Sequence, residues 1–380
     1  MRCIGLITGS RGEYGYIRPI LRLIEKDPDL DYRLVVTNMH LLPSFGLSVR
    51  EIEEDGFAIS DRIYMALDGY TPATMTKSLA GFLWSFVDVL SRLSPDILLL
   101  AGDRGEQLMA AIAAAHMNIP IAHIQAGEVS GHIDGQSRHA IARFSHIHFA
   151  SNEDAAQRLI KSGEQGFRIH KTGAPQLDEL VRGSYDPPEL IEKEIGIDLA
   201  SPMILMVQHP TSEEYDKSLE QIQETYNAIL GFEYQTVIVF PNNDAYNETI
   251  RLWIEANKRP FIKIFRNLPR GRYLGLMNVA DVLVGNSSSG LIEAPTFNLP
   301  VVNIGERQRG RAHGANVINV PAERERIREA IERALKPEFL TLVRESRHPY
   351  MGDGKVSERI VRVLKEIPID DKLIKKGLTY

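Results

Sequence analysis

The chain has 380 residues, 43% of them apolar and 25% charged, with a formal net charge of −6. That length exceeds one ordinary hydrophobic core and calls for roughly two or three domains of a folded, soluble kind. Basic residues scattered under a net negative charge argue against a nucleic-acid groove, which needs a concentrated positive field. Cys3 is the single cysteine, so no disulfide closes within the chain, cysteine-rich metal centres are excluded, and a cytoplasmic setting fits.

The first apolar run, residues 3–8, ends in polar, glycine-rich sequence. It is too short for a signal-peptide core, and no segment reaches about 18 uninterrupted apolar residues, so neither a leader nor a membrane partner is expected. The pattern then predicts strands at 3–8, 32–37, 96–101, 121–125, 147–150 and 169–172. Helices at 17–26, 74–93, 106–117, 136–144 and 153–162 separate them. Runs such as DILLLA are apolar without alternation, as strands covered on both faces of a parallel sheet must be.

A proline-rich, charged stretch at 185–202 reads as a linker. Strand and helix then alternate again, with strands at 203–208, 236–240, 262–265, 282–285 and 301–304. The intervening helices are expected at 217–230, 247–256, 274–280, 290–297 and 323–335. The rhythm implies an α/β protein of two Rossmann-like, doubly wound domains, 1–183 and 184–355. A last helix near 356–364 opens a tail, 356–380, whose pattern allows either half and which is expected to pack back on the first. Two such domains facing each other form a cleft, and ligands of open α/β sheets sit beyond the carboxyl ends of strands.

The chemistry-bearing residues stand just there. Gly9-Ser10-Arg11-Gly12-Glu13-Tyr14-Gly15 follows the first strand. Its glycines allow close backbone approach, and Arg11 suits a phosphate or carboxylate, although a structural turn explains the segment equally well taken alone. Gly102-Asp103-Arg104-Gly105-Glu106 follows DILLLA and gathers three charges that are costly to bury unpaired; a helix cap accounts for Asp103 but less well for the whole cluster. Residues 123–139 hold two carboxylates, Glu128 and Asp134, three histidines including His139, and Arg138. Any one of these histidines suits a structural role, but the cluster offers acid–base groups near neutral pH. Its spacing is no metal signature.

In the second half, Gln208-His209-Pro210-Thr211 follows a strand and reads alone as a polar turn. Gly285-Asn286-Ser287-Ser288-Ser289-Gly290 lies between strand and helix, with Glu293 one turn on. Hydroxyls and unpaired N–H groups at a helix start cradle phosphate, where capping alone needs one serine. Glu293 suits ribose hydroxyls. Arg307, Arg309 and Arg311 follow the strand VVNI and read either as a solvated loop or as diphosphate or nucleobase contacts.

Together these segments resemble the UDP-N-acetylglucosamine 2-epimerase family, of GT-B fold, over nearly the whole chain. Non-hydrolysing members carry a GTRPE-like first loop, GDT and an EAGLR-like segment. GSRGEYG, GDRGE and HIQAGEVSGHIDGQSRHAI resemble instead the hydrolysing, NeuC-type branch of sialic- and legionaminic-acid biosynthesis. The resemblance implies conversion of a nucleotide-sugar, UDP-N-acetylglucosamine foremost, to a free 2-epimer such as N-acetylmannosamine plus nucleoside diphosphate. The implied route is elimination to a glycal followed by hydration, with no cofactor and no metal. It implies that Asp103, Glu128 and Asp134 are catalytic carboxylates, and it matches His40 and His139 to family histidines. It places His209, Ser287, Ser288, Glu293 and Arg311, beside Asn286, with the nucleotide, and Arg11 and Arg104 on substrate or phosphate. A homodimer or homotetramer is expected by the same analogy. Two departures stand out: Gly15-Tyr16 replaces a serine and lysine of mammalian members, and PTSEEYD follows His209. The alternatives are a GT-B glycosyltransferase and a non-catalytic nucleotide-sugar-binding protein.

Overall fold

The computed structural model describes residues 1–69, 71–350 and 352–380, with the backbone alone at residue 215. The chain forms two compact units. The first holds Met1–Val129, Ile133–Val181 and Tyr350–Tyr380, and the second holds Ser130–His132 and Arg182–Pro349.

The first unit is built on seven strands: β1 (Arg2–Thr8), β2 (Leu30–Thr37), β3 (Ile59–Ile63), β4 (Ile97–Ala101), β5 (Ile121–Ile124), β6 (Ile147–Ala150) and β7 (Ile169–Lys171). Their order is β3-β2-β1-β4-β5-β6-β7, and every pairing is parallel. Side chains alternate between two buried cores, as the two-residue period of a strand requires. Leu6 and Leu99 face helix Arg11–Ile24 through Tyr14, Ile17 and Leu21. Ile7, Leu98 and Leu100 face helices Pro72–Leu93 and Gly105–His116 through Phe82, Phe86 and Ala114.

The C-terminal segment completes the first of these cores. Val356, Ile360 and Leu364 recur every four residues along helix Val356–Glu366 and bury one stripe beside Ile17 and Ile24. The helix has no side-chain cap of its own. Instead the carboxylate of Asp178, fully buried, accepts from Val356 N–H at 3.0 Å and Ser357 N–H at 2.7 Å. A carboxylate at a helix N-terminus satisfies orphan donors and complements the dipole. Further on, the guanidinium of Arg168 donates to the carbonyls of Leu373 and Lys372, at 2.7 and 2.9 Å.

The second unit carries six strands: β8 (Met203–Val207), β9 (Gln235–Val239), β10 (Ile262–Phe265), β11 (Val282–Gly285), β12 (Val301–Ile304) and β13 (Val317–Val320). Their order is β10-β9-β8-β11-β12-β13, again all parallel. In both sheets the chain adds strands outward on one side of its first strand, then crosses back to add the rest on the other. The reversal falls between β1 and β4, and between β8 and β11.

Three expectations need correction. Strands β3 and β13 were not expected; both lie at sheet edges, where only Ile63 of β3 and no residue of β13 is fully buried. The first helix begins at Arg11 rather than 17, so most of the glycine-rich segment is its first turn. Ser10 and Glu13 form a capping box there, an S-x-x-E signal that outweighs the glycines. The stretch 185–202 is not a free linker: Pro188–Ile191 is a helical turn, Ile191 and Ile195 are buried, and Asp186 N–H donates to Gly271 O at 3.1 Å.

Removing the Asp178 carboxylate strands two buried N–H groups. Asp178→Ala is expected to lower the unfolding free energy by about 1–3 kcal/mol, read as a lower urea midpoint at unchanged slope. An unchanged midpoint would show that the cap contributes nothing.

Candidate functional site

The candidate residues of the first unit collect at the carboxyl ends of β1, β2, β4 and β5. Ser10 caps the helix after β1, and Arg11 is its first residue, partly buried. Glu13 turns inward: its Oε2 accepts from Gly9 N–H at 2.6 Å and Ser10 N–H at 3.1 Å. Burial, then the nearby Glu106 carboxylate, hold the Glu13 carboxyl well above the usual range. Glu106 Oε1 in turn accepts from Arg104 Nε at 3.2 Å and Asn38 Nδ2 at 2.9 Å. This carboxylate fixes Arg104 against the ends of three strands. It also explains Gly9, where a Cβ would stand 2.3 Å from Glu106 Oε1.

Asp103 is partly exposed and pairs with the fully buried Arg138. Gly102, just before it, has a φ of +88°. The carbonyl of Gly102 takes a hydrogen bond from His123 Nε2 at 2.6 Å. A carbonyl only accepts, so His123 carries its proton on Nε2. Burial depresses its pKa to about 3, so His123 is a neutral strut that holds the turn before Asp103. Beyond β5, Glu128 is buried and accepts from the hydroxyl of Ser151, the residue that follows β6. Asp134 and Arg138 stand four residues apart on helix Ile133–Phe144, hence on one face. Asp134 is partly exposed. His139 is half-buried, and burial followed by the Arg138 charge lowers its pKa.

His40 lies on the turn Asn38–Leu41 after β2. Its Nε2 meets Thr8 Oγ1 at 2.9 Å and its Nδ1 meets Ser48 Oγ at 2.8 Å. Fully buried, it has a pKa pushed down to about 3 and is neutral near pH 7. Both ring nitrogens are engaged with hydroxyls of the scaffold, an arrangement that ties β1 to the β2 turn.

In the second unit the residues meet where β8 and β11 lie side by side. The Asn286 carboxamide grips the backbone of His209 both ways, accepting from its N–H at 2.7 Å and donating to its carbonyl at 2.9 Å. Asn286 O accepts from Arg307 Nη1 at 3.1 Å and Gln308 Nε2 at 2.9 Å. Asn242 N–H donates to His209 Nδ1 at 3.2 Å, so the neutral imidazole carries its proton on Nε2 as a donor. Ser287 and Ser289 share a hydroxyl contact at 2.9 Å, and Tyr273 OH meets Ser289 Oγ at 2.7 Å. The helix that follows is only Ser289–Ile292; its N-cap residue Ser288 makes no side-chain cap, whereas Ser287 Oγ accepts from Ser289 N–H at 3.4 Å. Ser288 is partly exposed at its start.

Glu293 is buried with Arg270 Nη1 3.5 Å away. Burial raises its pKa, and Arg270 and Arg311 oppose that rise. The three arginines after β12 separate by environment. Arg307 and Arg311 are buried, the latter donating to Gln308 Oε1 at 3.3 Å, whereas Arg309 is exposed beside Glu306. The first unit thus holds carboxylates beside guanidinium groups, a set suited to proton transfer next to an anion. The second offers hydroxyls, an imidazole N–H and arginines at a sheet's switch point, a set suited to phosphate and sugar hydroxyls. Among the described residues, no group of three or more His, Cys, Asp or Glu is arranged to hold a metal. Asn38, Ser151, Arg270 and Tyr273 were not expected from the sequence. Ser151 was findable, since it follows a strand; Arg270 and Tyr273 lie on helix Arg270–Val279, which carries no such signal.

The buried histidines make stability depend on pH. The folded pKa values of His40 and His123, about 3, lie below the ordinary 6.5 of an unfolded chain. The unfolded state therefore binds protons first. Stability is fully present above about pH 6.5 and is lost as pH falls towards 3, by up to roughly 1.4 kcal/mol per pH unit for each ring. Histidine-selective NMR should show both rings neutral from pH 8 down to 5; a midpoint near 6.5 for either would contradict its buried, neutral placement.

Comparison with known proteins gives this geometry its kinship. Residues 22–365 match the family described as UDP-N-acetylglucosamine 2-epimerase. The chain is 38% identical to the UDP-N,N'-diacetylbacillosamine 2-epimerase (hydrolyzing) of Legionella pneumophila, with 100% of both chains covered. It is 32% identical to the GDP/UDP-N,N'-diacetylbacillosamine 2-epimerase (hydrolyzing) of Campylobacter jejuni, over 89% of this chain and 88% of that one. Identity is 31% with a UDP-N-acetylglucosamine 2-epimerase of Neisseria meningitidis, over 88% of each. A crystal structure of UDP-GlcNAc 2-epimerase from Neisseria meningitidis bound to UDP-GlcNAc shares the fold, with a TM-score of 0.80, 20% identity and coverage of 97% of this chain and 100% of that one. The two parallel-sheet α/β domains are those of the GT-B-type epimerase structures. The chain belongs to the UDP-N-acetylglucosamine 2-epimerase family.

Proposed function

We propose that the protein is a hydrolysing 2-epimerase acting on a UDP-linked 2-acetamido sugar, with UDP-N,N'-diacetylbacillosamine the first substrate to test and UDP-N-acetylglucosamine the second. The observation that carries this reading is the full-length match to a hydrolysing diacetylbacillosamine enzyme at 38% identity. The N-acetylglucosamine reading rests on the 31% match. In the proposed reaction a base removes the proton on carbon 2, and the carbon 1–oxygen bond breaks with its electron pair leaving on the nucleoside diphosphate. Water then adds across the resulting double bond, hydroxyl to carbon 1 and proton to carbon 2 on the opposite face. Substrate and water thus give the free 2-epimer and nucleoside diphosphate.

In this reading Asp103 and Asp134, both partly exposed, exchange protons with the sugar, with Glu128 as a third carboxylate held by Ser151. Arg11 and Arg104 stabilise the charge that develops on the departing diphosphate. His40, neutral and bound on both nitrogens, is a positioning residue rather than a proton carrier. His139, less deeply buried, is the histidine able to exchange protons. The second unit takes the nucleotide: Ser287, Ser288 and His209 Nε2 donate to phosphate, Arg311 balances its charge, and Glu293 accepts from ribose hydroxyls. Asn286 acts through His209, whose backbone it fixes. The product suits sialic- or legionaminic-type sugar synthesis in the cytoplasm, and the family analogy supports a homodimer or homotetramer. Among the described residues no helix is long and apolar enough to cross a membrane.

Steady-state UDP release from the two donors and from a GDP-linked counterpart tests the reading. Asp103→Asn and Asp134→Asn should each lower kcat by about 100- to 10,000-fold, and Glu128→Gln similarly, while UDP affinity stays within about threefold. Near-normal turnover in all three variants would remove the acid–base assignment. Asn286→Ala should do the reverse, weakening UDP binding about tenfold, because the His209 turn loses both its hydrogen bonds. An unaltered UDP affinity would take Asn286 out of the nucleotide site.

A further inference from the structure

Gln125 follows β5 directly and carries two features that are unfavourable in isolation. Its φ is +61°, in the left-handed region where glycine is the inexpensive residue. Its side chain is only 2% exposed, and the Nε2 amide is buried without a hydrogen-bond partner. Strained backbone and an unsatisfied buried donor at one residue mark places where a ligand completes the structure.

Its surroundings say which ligand. Gln125 O accepts from the N–H of Glu128 at 3.5 Å. Gln125 Oε1 lies 4.0 Å from where a Cβ on Gly102 would stand, a point that Tyr16 approaches to 3.5 Å. Gly102 immediately precedes Asp103. The residue therefore reaches from the turn bearing Glu128 to the turn bearing Asp103. We propose that Gln125 is a substrate-contacting, specificity-determining residue whose Nε2–H donates to an acceptor oxygen on the sugar, a hydroxyl or an acetamido carbonyl. A carboxamide has no titratable proton, so it orients the sugar between the carboxylates without competing for the transferred proton. A sugar lacking that acceptor leaves the amide buried and unpaired, and is discriminated against. This inference rests on the nucleotide-sugar reading of the same site.

The test separates the side chain from the turn it sits in. Gln125→Gly keeps the left-handed backbone at no cost and removes the amide, and Gln125→Glu keeps the size and removes the N–H. Stopped-flow displacement of a fluorescent UDP analogue, read before turnover, would compare UDP-N,N'-diacetylbacillosamine, UDP-N-acetylglucosamine and UDP. Both variants should bind UDP within about twofold of the wild type and at least one UDP-sugar about tenfold more weakly, with the thermal midpoint of Gln125→Gly unchanged or higher. Wild-type affinity for both UDP-sugars in either variant, or parallel loss of UDP and UDP-sugar in both, would overturn the proposal. Failure of the hydrolytic reading shows separately, as absence of UDP release by the wild type from every donor.

Discussion

Right-handed crossovers oblige a parallel sheet that grows in both directions to reverse once. Where it reverses, the loops leaving two adjacent strands part to opposite faces and open a crevice at their carboxyl ends. Both sheets of this protein meet that constraint at the same relative place, between β1 and β4 and between β8 and β11. Candidate residues leave both flanks of each crevice, and the ends of the neighbouring strands β2, β5 and β12 add His40, Glu128 and Arg311 beside them. Gly9, Ser10 and Arg11 leave one side of the first crevice, and Gly102, Asp103 and Arg104 leave the other. His209 and Asn286 flank the second in the same manner, close enough that one carboxamide holds both strand ends.

Polar groups crowded at a crevice are costly unless their partners are supplied in advance. The protein supplies them residue by residue. Glu106 restrains Arg104, Arg138 restrains Asp103, Ser151 restrains Glu128, and His123 holds the carbonyl of Gly102. In the second unit Asn286 alone takes four hydrogen bonds through its side chain and carbonyl, counting those with His209, Arg307 and Gln308. Orientation that the fold itself supplies need not be established at the moment of reaction, which is the physical content of preorganisation. The buried histidines serve this end by staying neutral, since a charged ring in the same place would need a counter-ion.

Much of this was legible in the sequence because burial on both faces leaves a plain mark. Strands such as Ile97–Ala101 are apolar throughout, and the candidate residues come directly after them. The edge strands β3 and β13 were illegible for the converse reason: with one side unpaired they mix Ser, Asp, Arg and Asn with their aliphatics and resemble loops. The first helix was misplaced because Gly12 and Gly15 suggested a loop, although Ser10 and Glu13 spelled its capping box. Arg138 was visible in its cluster, but its pairing with Asp103 is set by tertiary packing across 35 positions. The same holds for Tyr273 and Arg270, which reach Ser289 and Glu293 from a separate helix.

The proposed reaction both inverts carbon 2 and releases the nucleotide. An NMR time course in deuterium oxide, with UDP-N,N'-diacetylbacillosamine and then UDP-N-acetylglucosamine, tests both halves at once. Free UDP and a free 2-epimerised sugar bearing deuterium at carbon 2 are the expected products. A 2-epimer still attached to UDP, a released sugar of unchanged configuration, or retention of the original hydrogen at carbon 2 would contradict that reaction.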